Sequence, residues 1–216
     1  MTPVPHPAAP TPASAMPSAR PGAPGHSPEP EAHWTPLVDG RRLTLLAPEP
    51  ERITIDTIAY GLAGQYRWGG QSRPRVTVAE HSCLAAQLAG ALRLGSRMER
   101  LMLLHDAAEG LGLHDVTTPV KDLVPGHRVL EDLMQAAVWQ AMNVIPPRGD
   151  EVRFLKTIDA VVTATECRAL FDDADDAAWG FGDARPSPDI RLMGWPPAVA
   201  EVRFLAAWDR LEGDRA

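Results

Sequence analysis

The run LMLLHDAAEGLGLHDVTTPVK, residues 101–121, constrains the chain most, because it places ionisable residues on the apolar side of a helix. Met98, Leu101, Met102, His105 and Ala108 recur at three- and four-residue steps, which predicts a helix whose core-facing stripe includes His105. Asp106 is its neighbour. Adjacent side chains on a helix diverge by about 100°, yet both can reach one ion placed between them, and Glu109, one turn on, looks into the same space. Burying an ionisable group without a partner is costly, so an inward His-Asp pair needs neighbouring donors and acceptors or a cation. Taken alone, the dipeptide reads as a satisfied core histidine beside an exposed aspartate.

Two further helices change that reading. Residues 77–94 form a predicted helix whose stripe of Leu84, Ala85, Leu88 and Leu92 passes through His81, and Gly95 and Ser96 end it. Residues 150–171 form another, in which Val152, Leu155, Val162 and Ala169 share a face with Asp159. The result is a set of two imidazoles and two carboxylates: His81, His105, Asp106 and Asp159. Such a set suits a divalent ion (Mn²⁺, Co²⁺, Fe²⁺, Zn²⁺ or Mg²⁺) with positions left for water and a substrate oxygen, a hydrolytic arrangement. Glu166 is assigned instead to an ion pair with a nearby arginine such as Arg168. Past Glu109, a loop holding Gly110 and Gly112 is expected to return Asp115 and Lys121 toward the helix end.

The remaining chain supplies scaffold and one unusual loop. Residues 65–76, QYRWGGQSRPRV, gather Arg67, Trp68, Arg73 and Arg75 in an otherwise acidic protein. Arginine forks match phosphate oxygens and tryptophan offers a flat face to a sugar or base; the other reading is a solvated loop with one anchoring tryptophan. Around Asp39-Gly40 the pattern predicts a hairpin with a two-residue turn. Residues 53–62, 128–142 (through Leu130, Leu133, Met134, Ala137, Val138 and Ala141) and 197–211 are predicted scaffold helices, with a surface excursion over 172–188. EVRFL occurs at Glu151 and again at Glu201, a coincidence between two amphipathic helices rather than a repeat. Residues 1–33 are Pro- and Ala-rich with hardly a large apolar side chain; a disordered tail is expected there, and His6, His26 and His33 receive no catalytic role. One folded domain, residues 34–216, follows.

The net charge of −7 argues against binding polymeric nucleic acid or an anionic membrane, since both reward a basic face. Cys83 and Cys167 are too few for a disulfide framework or a thiolate zinc site and are expected to be buried free thiols. No apolar run is long enough to span a membrane and prolines occupy the N-terminus, so the expected compartment is the cytoplasm.

In this order, VAEHS, LLHDAAE, DVTTPVK and IDAVVTATECRAL resemble the signature of the HD-domain phosphohydrolases. The small members, related to 5′-deoxynucleotidases and phage dATP triphosphohydrolases, are the most similar, including the opening GRRLTLLAPEPERITIDTIAYGL. The resemblance implies an all-α HD fold with a small N-terminal β-hairpin, a homo-oligomer, and a metal-dependent phosphohydrolase acting on deoxynucleotides. By it, His81, His105, Asp106 and Asp159 are metal ligands, and Glu109 and Asp115 position or activate the attacking water. Arg67 and Trp68 match a pair that contacts phosphate and crowds the sugar edge, and Lys121 faces phosphate. The segment between Glu109 and Asp115 is one residue longer than usual, and the loop after Trp68 differs in content. Mono- versus triphosphate preference therefore stays open, and the rival reading is a non-catalytic nucleotide-binding or regulatory HD protein.

Overall fold

A computed structural model describes residues 33–172 and 179–213. The expected tail therefore lies outside the described residues except for His33, as does part of the expected excursion after Asp172. The described chain is mostly helical, with one small antiparallel hairpin near its start.

The hairpin pairs β1 (Trp34–Pro36) with β2 (Arg42–Thr44), Trp34 opposite Thr44. Its connection is longer than the two-residue turn expected. Gly40 N–H donates to Leu37 O at 2.9 Å and Leu37 N–H to Arg41 O at 2.8 Å, giving a turn closed by Gly40 at φ 83°. A left-handed glycine after a tight turn is the usual way to build a three-residue hairpin loop. Asp39 locks it by accepting from Arg41 N–H at 3.0 Å.

Seven helices follow among the described residues: α1 (Ile55–Ala63), α2 (Val78–Ala91), α3 (Ser96–Leu103), α4 (Thr118–Lys121), α5 (His127–Ala141), α6 (Asp150–Leu170) and α7 (Pro197–Gly213). Thr54 and Thr57 cap α1 reciprocally, and the Thr77 side chain accepts from Glu80 N–H to start α2. α2 is central, packed against α1, α3, α6 and α7. Ala79, Ala85, Ala86 and Ala89 are all buried there, small enough to admit neighbours on several sides. The core is completed by Ile58 and Leu62 from α1, Leu101, Met102 and Leu103 from α3, Met134 from α5, and Phe204 and Leu211 from α7.

Three predicted stripes are trimmed. Leu92 is the C-cap of α2 rather than part of it and is 56% exposed. Leu133 on α5 is exposed while Trp139, outside the expected stripe, is buried. On α6 the buried line runs through Ile158, Val162 and Thr165, leaving Val152 and Ala169 exposed and Asp159 on the flank, facing a cleft instead of the core. Cys83 and Cys167 are both buried, as expected.

Two close contacts position the site. A Cβ on Gly61 would come 1.8 Å from Gly110 O, and one on Gly110 would come 2.9 Å from Leu62 Cγ, so α1 lies directly against the turn that follows α3. On the other side of α2, the wholly buried Glu80 carboxylate accepts backbone N–H bonds from Met193 (2.7 Å), Gly194 (3.1 Å) and Trp195 (2.7 Å), fixing the approach to α7. No described helix is long and apolar enough to cross a membrane.

Candidate metal centre

Helix α3 ends at Leu103, two residues before the His-Asp pair expected to lie on it. Leu104 leaves helical geometry at φ −102°, ψ 1°, and residues 104–108 form turns. His105 caps this end: its Nδ1 lies 2.6 Å from Met102 O, one of the carbonyls a terminating helix leaves unpaired. Gln135 of α5 staples the turn by accepting from Ala108 N–H at 3.2 Å and donating to Leu104 O at 2.9 Å. Local chain reversal, rather than helix periodicity, thus aims His105 and Asp106 into the same space.

His81 meets them from α2, fully buried. Its Nε2 stands 3.3 Å from His105 Nε2, 3.6 Å from Asp106 Oδ2 and 3.2 Å from Asp159 Oδ1. His105 Nε2 in turn lies 3.2 Å from Asp106 Oδ2 and 3.8 Å from Asp159 Oδ1. His81, His105 and Asp106 offer atoms all within 4.8 Å of one another, a group that could hold a metal ion. Asp159 borders this group from the more exposed side.

The donor set fits a cation. Each ring's Nδ1 is engaged away from the cleft, that of His105 by Met102 O and that of His81 by Glu166 Oε1 at 2.7 Å. With Nδ1 carrying the proton, Nε2 presents a lone pair, so two lone pairs and two carboxylates converge on one point. Burial and Arg67 pull the His81 imidazolium down, but Glu166 and Asp159 outweigh them and push it up to about 10. Burial likewise opposes the charged His105, yet Asp106 and Asp159 raise it. Against the pull of burial, both histidines hold Asp159 well below the usual carboxylate range. These carboxylates therefore draw positive charge to the imidazoles, and a divalent ion competes with protons for the same lone pairs.

No family model matches the sequence. Over 182 residues the chain is 34% identical to "Uncharacterized protein RCAP_rcc00048" of Rhodobacter capsulatus, an alignment covering 80% of this chain and 92% of that protein. The chain belongs to the RCAP_rcc00048 family. It is also 27% identical over 160 residues to "Uncharacterized protein YfdR" of Escherichia coli, covering 74% of this chain and 84% of that one.

Around the ligand group, this RCAP_rcc00048 relative arranges the other expected residues in two sets. Glu109 is 5% exposed, and its Oε1 accepts from Lys121 Nζ at 3.1 Å while Oε2 is buried without a hydrogen-bond partner among the described residues. Burial, helped by Asp106 and Asp115, pushes the Glu109 carboxyl up to about 9 against the pull of Lys121 and Arg67. Asp115 is also raised, mainly by burial. Lys121 is shared with Glu131, 2.5 Å away, and burial fails to discharge it because both carboxylates favour the ammonium. His105, Asp106, Glu109, Lys121, Glu131 and Gln135 line a cavity of about 230 Å³. A second, of about 260 Å³, is lined by Gln65, Tyr66, Gly69, Gly70, His114 and Asp115.

Arg67 and Trp68 converge on one acid, Glu166. Arg67 Nε donates to Glu166 Oε2 at 3.0 Å and Nη2 to Thr163 Oγ1 at 2.9 Å, leaving Nη1 turned toward Asp106, 4.0 Å away. Trp68, at φ 61°, donates from Nε1 to the same Oε2 at 3.2 Å and packs edge-on against Phe171 and Trp179. The solvated-loop alternative therefore does not describe this pair, which is half-buried and tied to α6.

Sequence reasoning missed four supporting residues. Glu166 pairs with Arg67, and not with Arg168 as expected, because the partner lies 99 positions away. Thr163 donates to Asp159 Oδ1 at 3.2 Å. Gln65 donates to Glu109 O at 2.6 Å and accepts from Asp115 N–H at 2.9 Å, while Gln135 holds the turn. In Glu166 alone a signal was present, a carboxylate one helical turn from the buried Val162.

Proposed function

We propose that this protein is a metal-dependent phosphohydrolase of the HD-domain type acting on deoxynucleotides, either as a 5′-deoxynucleotidase or as a dNTP triphosphohydrolase. The observation that carries this reading is the convergence of His81 Nε2 and His105 Nε2, 3.3 Å apart with both Nδ1 atoms engaged elsewhere, beside Asp106 and Asp159. In this reading those four residues hold one divalent ion, which supplies Lewis acidity to a water and to a phosphate oxygen.

The chain's own groups do the rest. Arg67, through the Nη1 arm left by Glu166 and Thr163, and Lys121, on the far side of Glu109, provide fixed positive charge where phosphate charge develops. Glu109 Oε2, the buried oxygen with no partner among the described residues, accepts the proton of the attacking water and passes it to the oxygen that leaves phosphorus. Its carboxyl, pushed up to about 9, would be lowered by a cation held beside Asp106, which would favour the carboxylate that accepts a proton. Asp115, anchored through its backbone by Gln65, flanks the same space and orients that water. Trp68 presents a rigid aromatic edge beside Arg67 and sterically disfavours a ribose 2′-hydroxyl.

The test is a panel of dNMPs, dNTPs and their ribonucleotide counterparts incubated with the purified protein and Mn²⁺ or Co²⁺. Release of phosphate or triphosphate from deoxynucleotides is the expected result. Nucleotides bound but left intact would favour the regulatory alternative and overturn the enzymatic one.

A further inference from the structure

The geometry points to Glu166 as a positioning residue that makes a cation and the Arg67 guanidinium compatible within one cleft, an inference that rests on the cation site proposed above. Its carboxylate is wholly buried and has two differently employed oxygens. Oε1, 2.7 Å from His81 Nδ1, holds that ring so that Nε2 faces the ligand group. Oε2 takes N–H bonds from Arg67 Nε at 3.0 Å and Trp68 Nε1 at 3.2 Å. One side chain therefore orients a metal ligand on α2 and the loop that carries the substrate-facing arginine.

Charge makes this more than a tether. Arg67 Nη1 lies 4.0 Å from Asp106 Oδ2, so a dication held by Asp106 would stand beside a buried guanidinium, and like charges at that range repel strongly away from water. Glu166 is the acid in direct contact with Arg67 on the side away from Asp106, and it offsets the guanidinium charge before a cation arrives. The remaining Arg67 partner, Thr163 Oγ1, carries no charge and bonds onward to Asp159 Oδ1. A glutamine at position 166 cannot substitute. Its oxygen can serve His81, but its NH₂ then faces the Arg67 and Trp68 N–H donors, and the negative charge is gone.

Co²⁺ reports on this without any turnover. Titrating the full chain and following visible d–d absorption together with chelator competition, Glu166→Gln should weaken Co²⁺ affinity by about 10- to 100-fold, as loss of a partner behind a ligating histidine does. Adding Arg67→Met to Glu166→Gln should recover about tenfold of that loss, a coupling that simple structural damage would not produce. Equal affinity and an unchanged spectrum in Glu166→Gln, or additive losses in the double variant, would overturn the assignment while the cation site stands. A parental protein that binds neither Co²⁺ nor Mn²⁺ would remove the site and this inference with it. If circular dichroism shows Glu166→Gln unfolded, Arg67→Met/Glu166→Leu, which offers His81 no acceptor, is compared with Arg67→Met, both lacking the buried guanidinium. About tenfold weaker Co²⁺ binding in the former supports the His81 role, and equality overturns it.

Discussion

His105 Nδ1 meets Met102 O at 2.6 Å, so the imidazole that points into the cleft is also the cap of α3. Helix termination and presentation of Nε2 to the cleft are one event here. His105→Ala removes a cap and a proposed ligand together, whereas Asp106→Ala removes a proposed ligand and no cap. Both variants should lose bound divalent ion, from about one per chain to a small fraction, by elemental analysis of purified protein. In thermal melts without added metal, His105→Ala alone should also lose about 1 kcal/mol, the usual cost of an unpaired helix end. Full occupancy in both would end the ligand assignment.

In the proposed reading Glu109 serves the chemistry rather than the ligand group, which predicts a separation of effects. Glu109→Gln should keep cation affinity within a fewfold of the parent while lowering kcat by about 10²- to 10⁴-fold, the range for losing a proton-transfer group. Calorimetric cation titration beside deoxynucleotide turnover checks both halves. Undiminished kcat would exclude Glu109 from the mechanism.

Sugar choice is expected to follow Trp68. Trp68→Ala should narrow the gap in kcat/KM between a deoxynucleotide and its ribonucleotide, whereas Arg67→Ala should weaken both alike through loss of a charge-assisted phosphate contact. An unchanged deoxy-to-ribo ratio in the tryptophan variant, with a shifted ratio in the arginine variant, would reverse these roles.

The contact between Gly61 and Gly110 predicts a steric failure. A methyl group on Gly61 would stand 1.8 Å from the Gly110 carbonyl oxygen, whereas Gly40 has nothing within 4 Å. Gly61→Ala should therefore cost about 1–3 kcal/mol or more in urea unfolding, by forcing α1 off its neighbour. Gly40→Ala bears only the penalty of its positive φ, about 1 kcal/mol. Equal losses would mean that α1 does not approach the turn this closely.

Cys83 gives a prediction at alkaline pH. Burial, reinforced by Glu80 and opposed by Arg203, pushes its thiol up to about 12. An unfolded thiol ionises near 8.5, so above that pH the unfolded chain releases a proton that the folded chain keeps. Stability is then full below about pH 8.5 and falls as pH rises toward 12, by at most about 1.4 kcal/mol per unit. Denaturant unfolding at pH 8 and pH 10 should show a smaller loss in Cys83→Ala than in the parent. Identical losses would argue that this thiol is not held protonated.

What could be read in the sequence and what could not divide along contact distance. His81, His105, Asp106 and Asp159 stood out because each interrupts or borders an apolar period within its own segment, and the structure brings all four together. The end of α3 before His105 was not legible, since the bonds that stabilise the following turn come from Gln135, about thirty positions on. Glu166 was assigned to a neighbour on its own helix because local sequence offers only local partners. Leu133 and Val152 satisfied a period yet remain exposed, since a short helical stripe buries only where another element lies over it.

Gln65 joins the backbones of two acid-bearing residues through a single amide, its NH₂ donating to Glu109 O and its oxygen accepting from Asp115 N–H. It acts as a calliper. The separation of these acids is set by this side chain together with His114 N–H, which donates to the same Glu109 O at 3.2 Å. Residues 110–114 can thus turn outward to the exposed, left-handed His114 while the Gln65 amide fixes where the next carboxylate begins.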